Sequence, residues 1–317
     1  MNVLVTGLTG FVGGHFGEAL LQAMPGCKLV GTSRANTWPV PLAALAPHAR
    51  LESVDLHDGA GLLKLLHEHR PDWVVHLAGY ANTRQSFQEP ARCWADNLDG
   101  TRTLLEAVVA SNLAPKVLFA STGLVLGDPD PGKQLLDEFT TMKPVSPYAA
   151  SKAAAELYAY QVYASTGLPV VRLRLFNQLG PRQSLGFIAT DKAREIVDLE
   201  RLGQPGTLHT KDLGSYRDIT DVRDIARAIL GVLEHGKPGE VYNAGSGRVV
   251  QIREVVRQLI VLAKVPITLN EQHSEQQVPE TAVCQADIGK LQRTTGWEPT
   301  IPLLKTLNDV LDDWRVR

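Results

Sequence analysis

A short apolar strand, Met1 to Thr6, runs straight into Gly7-Leu8-Thr9-Gly10-Phe11-Val12-Gly13, and a stretch with helical apolar spacing (Phe16, Leu20, Leu21) follows to about Met24. A glycine turn between a strand and a helix lets the backbone approach a pyrophosphate. There the free N–H groups and the dipole of a helix N-terminus favour an anion. The spacing is G-x-x-G-x-x-G rather than the more familiar G-x-G-x-x-G. Tight turns also collect glycine, but the strand-to-helix context is the one a dinucleotide turn requires. Gly7, Thr9, Gly10, Phe11, Val12 and Gly13 are therefore candidate cofactor contacts.

The chain after this turn alternates strands with helices. Lys28 to Thr32 is a second strand, Leu51 to Val54 a third, and Trp73 to Leu77 a fourth that is apolar almost throughout, as a strand buried on both faces should be. A helix from about Asn97 to Ser111, the strand Lys116 to Ala120, a helix ending near Ser165 and the strand Val170 to Leu175 follow. The pattern predicts an α/β protein with a doubly wound parallel Rossmann sheet. Ligands of such sheets bind outside the carboxyl ends of the strands. Thr32, Asp55 and Leu56, Leu77-Ala78-Gly79, Ser121-Thr122, Leu175 and Asn177 all fall there, which points to one site.

The second strand ends Gly31-Thr32-Ser33-Arg34, without the Asp or Glu that usually holds the ribose 2′-OH of NAD. Hydroxyls and a guanidinium suit a 2′-phosphate instead. Thr32, Ser33 and Arg34 thus favour NADP (NADPH), with NAD left open; the plainer account of Arg34 is an exposed loop arginine.

Beyond Asn177 the pattern changes. Ile188 to Leu202, about Val222 to Glu234, Ile252 to Ala263 and about Leu303 to Trp314 read as helices, and Val241 to Asn243 as a strand. The expected division is a cofactor domain over residues 1–176, to which 217–243 returns, and a smaller substrate domain over 177–317. At 317 residues the chain is long enough for two such units. A net charge of −2 signals no basic face for nucleic acid, and Cys27, Cys93 and Cys284 lie too far apart for a metal knuckle or a disulfide framework. The chain begins without a basic leader, and no apolar run approaches the ~18 residues of a membrane span. A cytoplasmic protein with no metal and no membrane partner is expected.

Ser146-Pro147-Tyr148-Ala149-Ala150-Ser151-Lys152 carries the chemistry. Ser146 is a good N-cap, Pro147 suits the first helical position, and Gly167 supplies the stop. Tyr148 and Lys152 then share a helix face. A phenol ionises near ~10, so acid–base work at neutrality asks for a shift of roughly three units, about 4 kcal/mol. One cation at ~4 Å in a partly dry site supplies about that much. On this reading Lys152 lowers the proton affinity of Tyr148; the plainer account is a surface helix with an unremarkable Tyr and Lys.

Taken together, these residues resemble the extended short-chain dehydrogenase/reductase superfamily over essentially the whole chain, and within it the GDP-4-keto-6-deoxy-D-mannose reductases, relatives of GDP-mannose 4,6-dehydratase. The carrying pieces are Gly7 to Gly13, His76 to Gly79, Asn97 to Thr101, Ser146 to Lys152, Arg172 to Asn177, Gly180 to Phe187, Arg217 to Asp224 and Thr295 to Pro299. The stretch from Phe176 to Phe187 points to the reductase branch. The resemblance implies that Thr122 is the catalytic Ser/Thr, Tyr148 the acid/base and Lys152 its partner, which also holds the nicotinamide ribose. It gives Asn97 the role of positioning the active-site backbone, against a plain helix cap. It makes Asn177, Arg182 and Arg217 substrate contacts, with a salt bridge to Asp218 or Asp221 as the other account of Arg217. Three departures touch the pocket: Leu126 where tyrosine is usual, Gln178 where histidine is usual, and Gln276-Gln277-Val278-Pro279-Glu280 where a pyrophosphate-binding arginine is expected, leaving Gln277 as the candidate there.

The implied activity is NADPH-dependent reduction of the C4 ketone of a 4-keto-6-deoxy nucleotide sugar. A 4,6-dehydratase needs a further base, and the position two past Thr122 is Leu124. A 4-epimerase must keep NAD bound, which the 2′-phosphate reading opposes. A cofactor-sensing protein without turnover typically lacks the Tyr or the Lys. The resemblance further implies a homodimer built through a four-helix bundle of Asn97–Ser111 and Tyr148–Ser165.

Overall fold

The computed structural model describes residues 1–35, 37–129, 135–272 and 285–317. The chain opens with β1 (Asn2–Thr6), α1 (Phe11–Ala23), β2 (Lys28–Ser33), β3 (Ala49–Ser53), α2 (Gly59–His69) and β4 (Trp73–His76). It continues through α3 (Thr83–Ser86), α4 (Pro90–Trp94), α5 (Gly100–Ala110), β5 (Lys116–Thr122), β6 (Leu135–Leu136), α6 (Pro147–Thr166) and β7 (Val170–Leu175). Then come β8 (Asn177–Leu179), α7 (Ile188–Leu202), β9 (Gly206–Thr210), β10 (Tyr216–Asp221), α8 (Val222–His235) and β11 (Val241–Ala244). The last elements are β12 (Val249–Gln251), α9 (Ile252–Val261), β13 (Ile267–Glu271), β14 (Gln285–Ala286), α10 (Gly289–Thr295) and α11 (Leu303–Val316).

Seven strands form one parallel sheet in the order β3-β2-β1-β4-β5-β7-β11. Alternate side chains of these strands feed opposite layers, as the two-residue period of a strand requires. Val3, Val5, Val75, Leu118 and Leu173 pack with Phe16 and Leu20 of α1 and Ile225 and Ile229 of α8. Leu4, Val74, Val117, Phe119 and Val170 pack with Leu62 and Leu66 of α2, Leu104 and Val108 of α5, and Ala155 and Ala159 of α6. Burial on both faces explains the continuous apolar runs. This is the expected Rossmann architecture, and the chain reverses direction across the sheet between β1 and β4, the place where such folds open a crevice.

A second core, built from Ala193, Ile196, Val255, Leu259, Leu307 and Leu311, joins α7, α9 and α11. Beside it stand a three-stranded sheet, β12-β10-β8, and the parallel pair β9–β13. Of the segment 217–243, α8 and β11 lie with the large sheet, whereas β10 belongs to the three-stranded one. Among the described residues no helix is long and apolar enough to cross a membrane.

Candidate active site

The glycine turn is built for close approach. Gly7 is left-handed at φ 76°, and a Cβ there would meet the Ala78 nitrogen at 2.9 Å. A Cβ on Gly13 would stand 2.1 Å from the Gly7 carbonyl oxygen. No side chain caps α1, so its first N–H groups face outward from the turn. The turn forms one wall of a groove of about 1760 Å³. Thr32, Ser33 and Arg34 line the same groove at the end of β2, and Asp55 and Leu56 line it beyond β3. Arg34 is exposed and makes no ion pair among the described residues. An uncapped helix end, a turn with no room for side chains and an unpaired guanidinium beside hydroxyls are a donor set that fits a phosphorylated dinucleotide.

Every remaining candidate cofactor residue lines this groove as well: Leu77, Ala78, Gly79, Asn97, Ser121, Tyr148, Lys152 and Leu175. The catalytic candidates meet at its centre. Thr122 closes β5, its hydroxyl accepting from the Leu124 N–H at 3.3 Å, and its side chain stands beside the Tyr148 phenol. Ser146 caps α6 by accepting from the Ala149 N–H at 3.1 Å, and the Tyr148 N–H is held by Ser86 Oγ at 3.2 Å.

Lys152 corrects the expectation drawn from the spacing. Its ammonium donates to the Ala120 carbonyl at 2.5 Å and sits 4.4 Å from the centre of the Phe119 ring. Burial lowers its pKa to about 8, with Glu156 acting against the fall. Tyr148 is not brought down: burial pushes its phenol up to about 12, while the neighbouring Thr122 side chain works the other way. A shared helix face thus did not give a phenol–ammonium contact, because a carbonyl and a ring face of β5 hold the ammonium. At neutral pH the phenol keeps its proton.

Asn97 sits in a π-helical turn, Ala95–Asp99, between α4 and α5. Such bulges re-aim a side chain and recur at functional sites. Its amide oxygen accepts from the Tyr80 N–H at 2.8 Å, and its amide nitrogen donates to Ser151 Oγ at 2.9 Å. Ser151 in turn donates to the Tyr148 carbonyl at 2.9 Å. Asn97 therefore ties the turn after β4 to the first turn of α6. His76 braces the same region, with Nδ1 at 2.6 Å from Thr6 Oγ1 and Nε2 at 3.0 Å from Thr101 Oγ1. Burial, with the nearby Lys152 charge, lowers its pKa to about 3, so the ring is neutral.

The far side of the groove carries Asn177 and Arg217. The carboxylate of Asp218 receives Ser246, Gly247 and Ala286, and that of Asp221 receives Arg223 and Thr306. Arg182 does not join the groove. Its guanidinium pairs with Glu18 and meets the His15 ring, and its N–H binds Asp313, so it fastens the loop after β8 to α1 and α11. Gln277 lies outside the described residues. The sequence reading missed two exposed cations of the lining, Arg84 and Lys211, which make no ion pair among the described residues. Neither sits in a patterned motif, so only the folded chain brings them to the groove. The Leu124 side of the pocket offers an alkyl chain where a second base would stand.

A doubly wound sheet with Thr, Tyr and Lys gathered at the carboxyl ends of its strands, beside a glycine turn, defines an extended short-chain dehydrogenase/reductase. The family model described as GDP-mannose 4,6 dehydratase matches residues 4–310, and the chain belongs to that family. It is 33% identical over 316 residues to the GDP-6-deoxy-D-mannose reductase of Pseudomonas aeruginosa, covering 100% of this chain and 98% of the relative. The structure of RMD from Pseudomonas aeruginosa complexed with NADPH is similar with a TM-score of 0.86 at 32% identity, over 99% of each chain. The UDP-glucose 4-epimerase of Thermus thermophilus in complex with NAD is similar with a TM-score of 0.86 at 30% identity, also over 99% of each chain.

Proposed function

We propose that the protein is an NADPH-dependent oxidoreductase that reduces the C4 ketone of GDP-4-keto-6-deoxy-D-mannose. The observation that carries the reaction type is a phenol, Tyr148, that keeps its proton and stands beside Thr122 in the dinucleotide groove. A carbonyl that gains a hydride at carbon needs a proton at oxygen, and a protonated acid in hydrogen-bond reach supplies it. The nicotinamide supplies the hydride when bound.

The chain's own residues do the rest. Tyr148 gives its proton to the C4 oxygen, and the Thr122 hydroxyl orients that oxygen. Lys152, one turn along α6, holds a positive charge beside the phenolate that remains. Thr32, Ser33 and Arg34 would hold the 2′-phosphate, and the turn from Gly7 to Gly13 the pyrophosphate. Asn177, Arg217, Arg84 and Lys211 offer donors for the sugar nucleotide's phosphates. Guanosine as the base rests on the likeness to the Pseudomonas aeruginosa reductase.

Leu124 in place of an acid weighs against a dehydratase, and Arg34 beside Ser33 weighs against an epimerase that retains NAD. Pairing of two copies through α5 and α6 is part of this reading: Val109, Leu157 and Tyr160 are large side chains left exposed on those helices. Light scattering at micromolar protein should give twice the chain mass, and a monomer would count against the pairing.

The direct test is to mix purified protein, NADPH and GDP-4-keto-6-deoxy-D-mannose. Loss of the NADPH absorbance with formation of a 6-deoxyhexose nucleotide is expected. No loss with GDP-, dTDP- or UDP-linked 4-keto sugars would overturn the reductase reading.

A further inference from the structure

Glu156 is a fully buried carboxylate near the site, 0% exposed, and the chemistry above makes no use of it. It follows Lys152 by one turn of α6. Its Oε2 accepts the Ser121 hydroxyl at 2.5 Å. Arg174 of β7 reaches it through Nε at 3.1 Å and Nη2 at 2.8 Å, and Arg172 Nη1 lies at 3.8 Å. Lys152 holds the preceding residue of β5, through the Ala120 carbonyl at 2.5 Å. Two side chains one turn apart on α6 therefore grip successive residues of the strand that ends in Thr122.

A core ion pair would need one carboxylate and one guanidinium. Here one buried carboxylate meets two guanidinia, one of which the exposed Glu240 also acts on, and the Lys152 ammonium stands one turn away on α6. Buried cations without a counter-charge are costly, and a lysine is the one of the three that can escape by losing its proton.

We propose that Glu156 is a positioning residue of the active site, whose carboxylate holds Ser121, and with it Thr122, against α6 and is the counter-charge of the Lys152 ammonium one turn away. The proposal rests on the reading of Tyr148 and Lys152 as the reacting pair. Of the other groups packed around Lys152, Cys93 is the one that also acts against the fall of its pKa, and less than Glu156 does. Cys93 of α4 is a thiol raised by burial, His76 of β4 is neutral, and Tyr148 keeps its proton. Arg102 and Glu106 of α5 face each other on the exposed side. Burial already brings Lys152 down to about 8, and Glu156 is the largest influence opposing that fall. Removing the Glu156 charge leaves only cations beside the ammonium, so the lysine must lose its proton at lower pH.

The test is an NMR titration of ¹³Cε-labelled lysines in the protein without cofactor, with the Lys152 signal assigned by its loss in Lys152→Met. Glu156→Gln should lower the Lys152 midpoint by about one pH unit or more, whereas Glu156→Asp should leave it near the wild-type value. Because Glu156→Gln strands Arg174, the comparison is repeated in an Arg174→Gln background, where adding Glu156→Gln should lower the midpoint again. The alkaline limb of kcat should move with the midpoint, and activity should recover towards wild type at lower pH. An unchanged midpoint in both backgrounds, or an equal fall in Glu156→Asp, would overturn the proposal. The titration needs no ketosugar, so a protein that reduces none while showing the shift would reject the proposed reaction and leave this role standing.

Discussion

The Lys152 ammonium is bonded to the Ala120 carbonyl at 2.5 Å, and the phenol of Tyr148, on the same face of α6, stands beside Thr122. The two groups of the Tyr–Lys pair thus face residues two apart on one strand, and only the lysine is fastened to its own. This division has a chemical consequence. The phenol is a proton donor at rest, and the lysine holds charge for the moment at which the proton leaves.

A pH profile should show which group limits activity. Lys152 loses its charge as pH rises through about 8, and the phenol keeps its proton to about 12. The expected profile of kcat is level through neutrality and falls as pH passes about 8. A rate that stays level well beyond that point would show that the charge of Lys152 is not needed.

Cofactor choice should depend on Arg34. Its guanidinium is exposed in the groove beside Ser33. A hydrogen bond to a charged phosphate contributes about 1.5–3 kcal/mol, so Arg34→Ala should raise the KM for NADPH roughly ten- to hundredfold while changing that for NADH little. Equal effects on the two cofactors in steady-state assays would reject the 2′-phosphate role.

Asn97 should matter through the residues that it holds. Asn97→Ala leaves the Tyr80 N–H and one bond of Ser151 without partners, at a cost of about 1–3 kcal/mol. Thermal unfolding should move down by several degrees, and kcat should fall more than the KM for NADPH rises. A variant with wild-type kcat would show that Ser151 and the first turn of α6 hold Tyr148 without it.

Arg182 should behave as a structural residue. Its guanidinium pairs with Glu18 of α1, so Arg182→Met should lower the melting temperature while leaving the KM for the sugar nucleotide near its wild-type value. A large rise in KM with unchanged stability would return Arg182 to the substrate site.

The elements that were legible in the sequence are those fixed by neighbours along the chain. Ser146, Pro147 and Gly167 set the two ends of α6, and the glycines of the first turn set the entry to α1, because caps and turns depend on residues only a few positions apart. The parallel strands were legible because burial on both faces leaves nearly unbroken apolar runs. Side-chain partners over long separations were not. Arg182 meets Glu18 at a separation of 164 residues, and Lys152 meets Ala120 at 32, choices made by packing rather than by pattern. The π-helical turn at Asn97 was read as ordinary helix, since one extra residue in a turn leaves no mark on apolar spacing. Arg84 of the short helix α3 and Lys211 of the loop after β9 line one groove only in the folded chain.

The central claim is that Tyr148 delivers the proton to the ketone. The most direct measurement is single turnover of Tyr148→Phe with NADPH and GDP-4-keto-6-deoxy-D-mannose, alongside NADPH binding followed by fluorescence. The account predicts binding close to wild type and a rate lowered about 100- to 10,000-fold. A Tyr148→Phe protein that binds NADPH and turns over at the wild-type rate would contradict it.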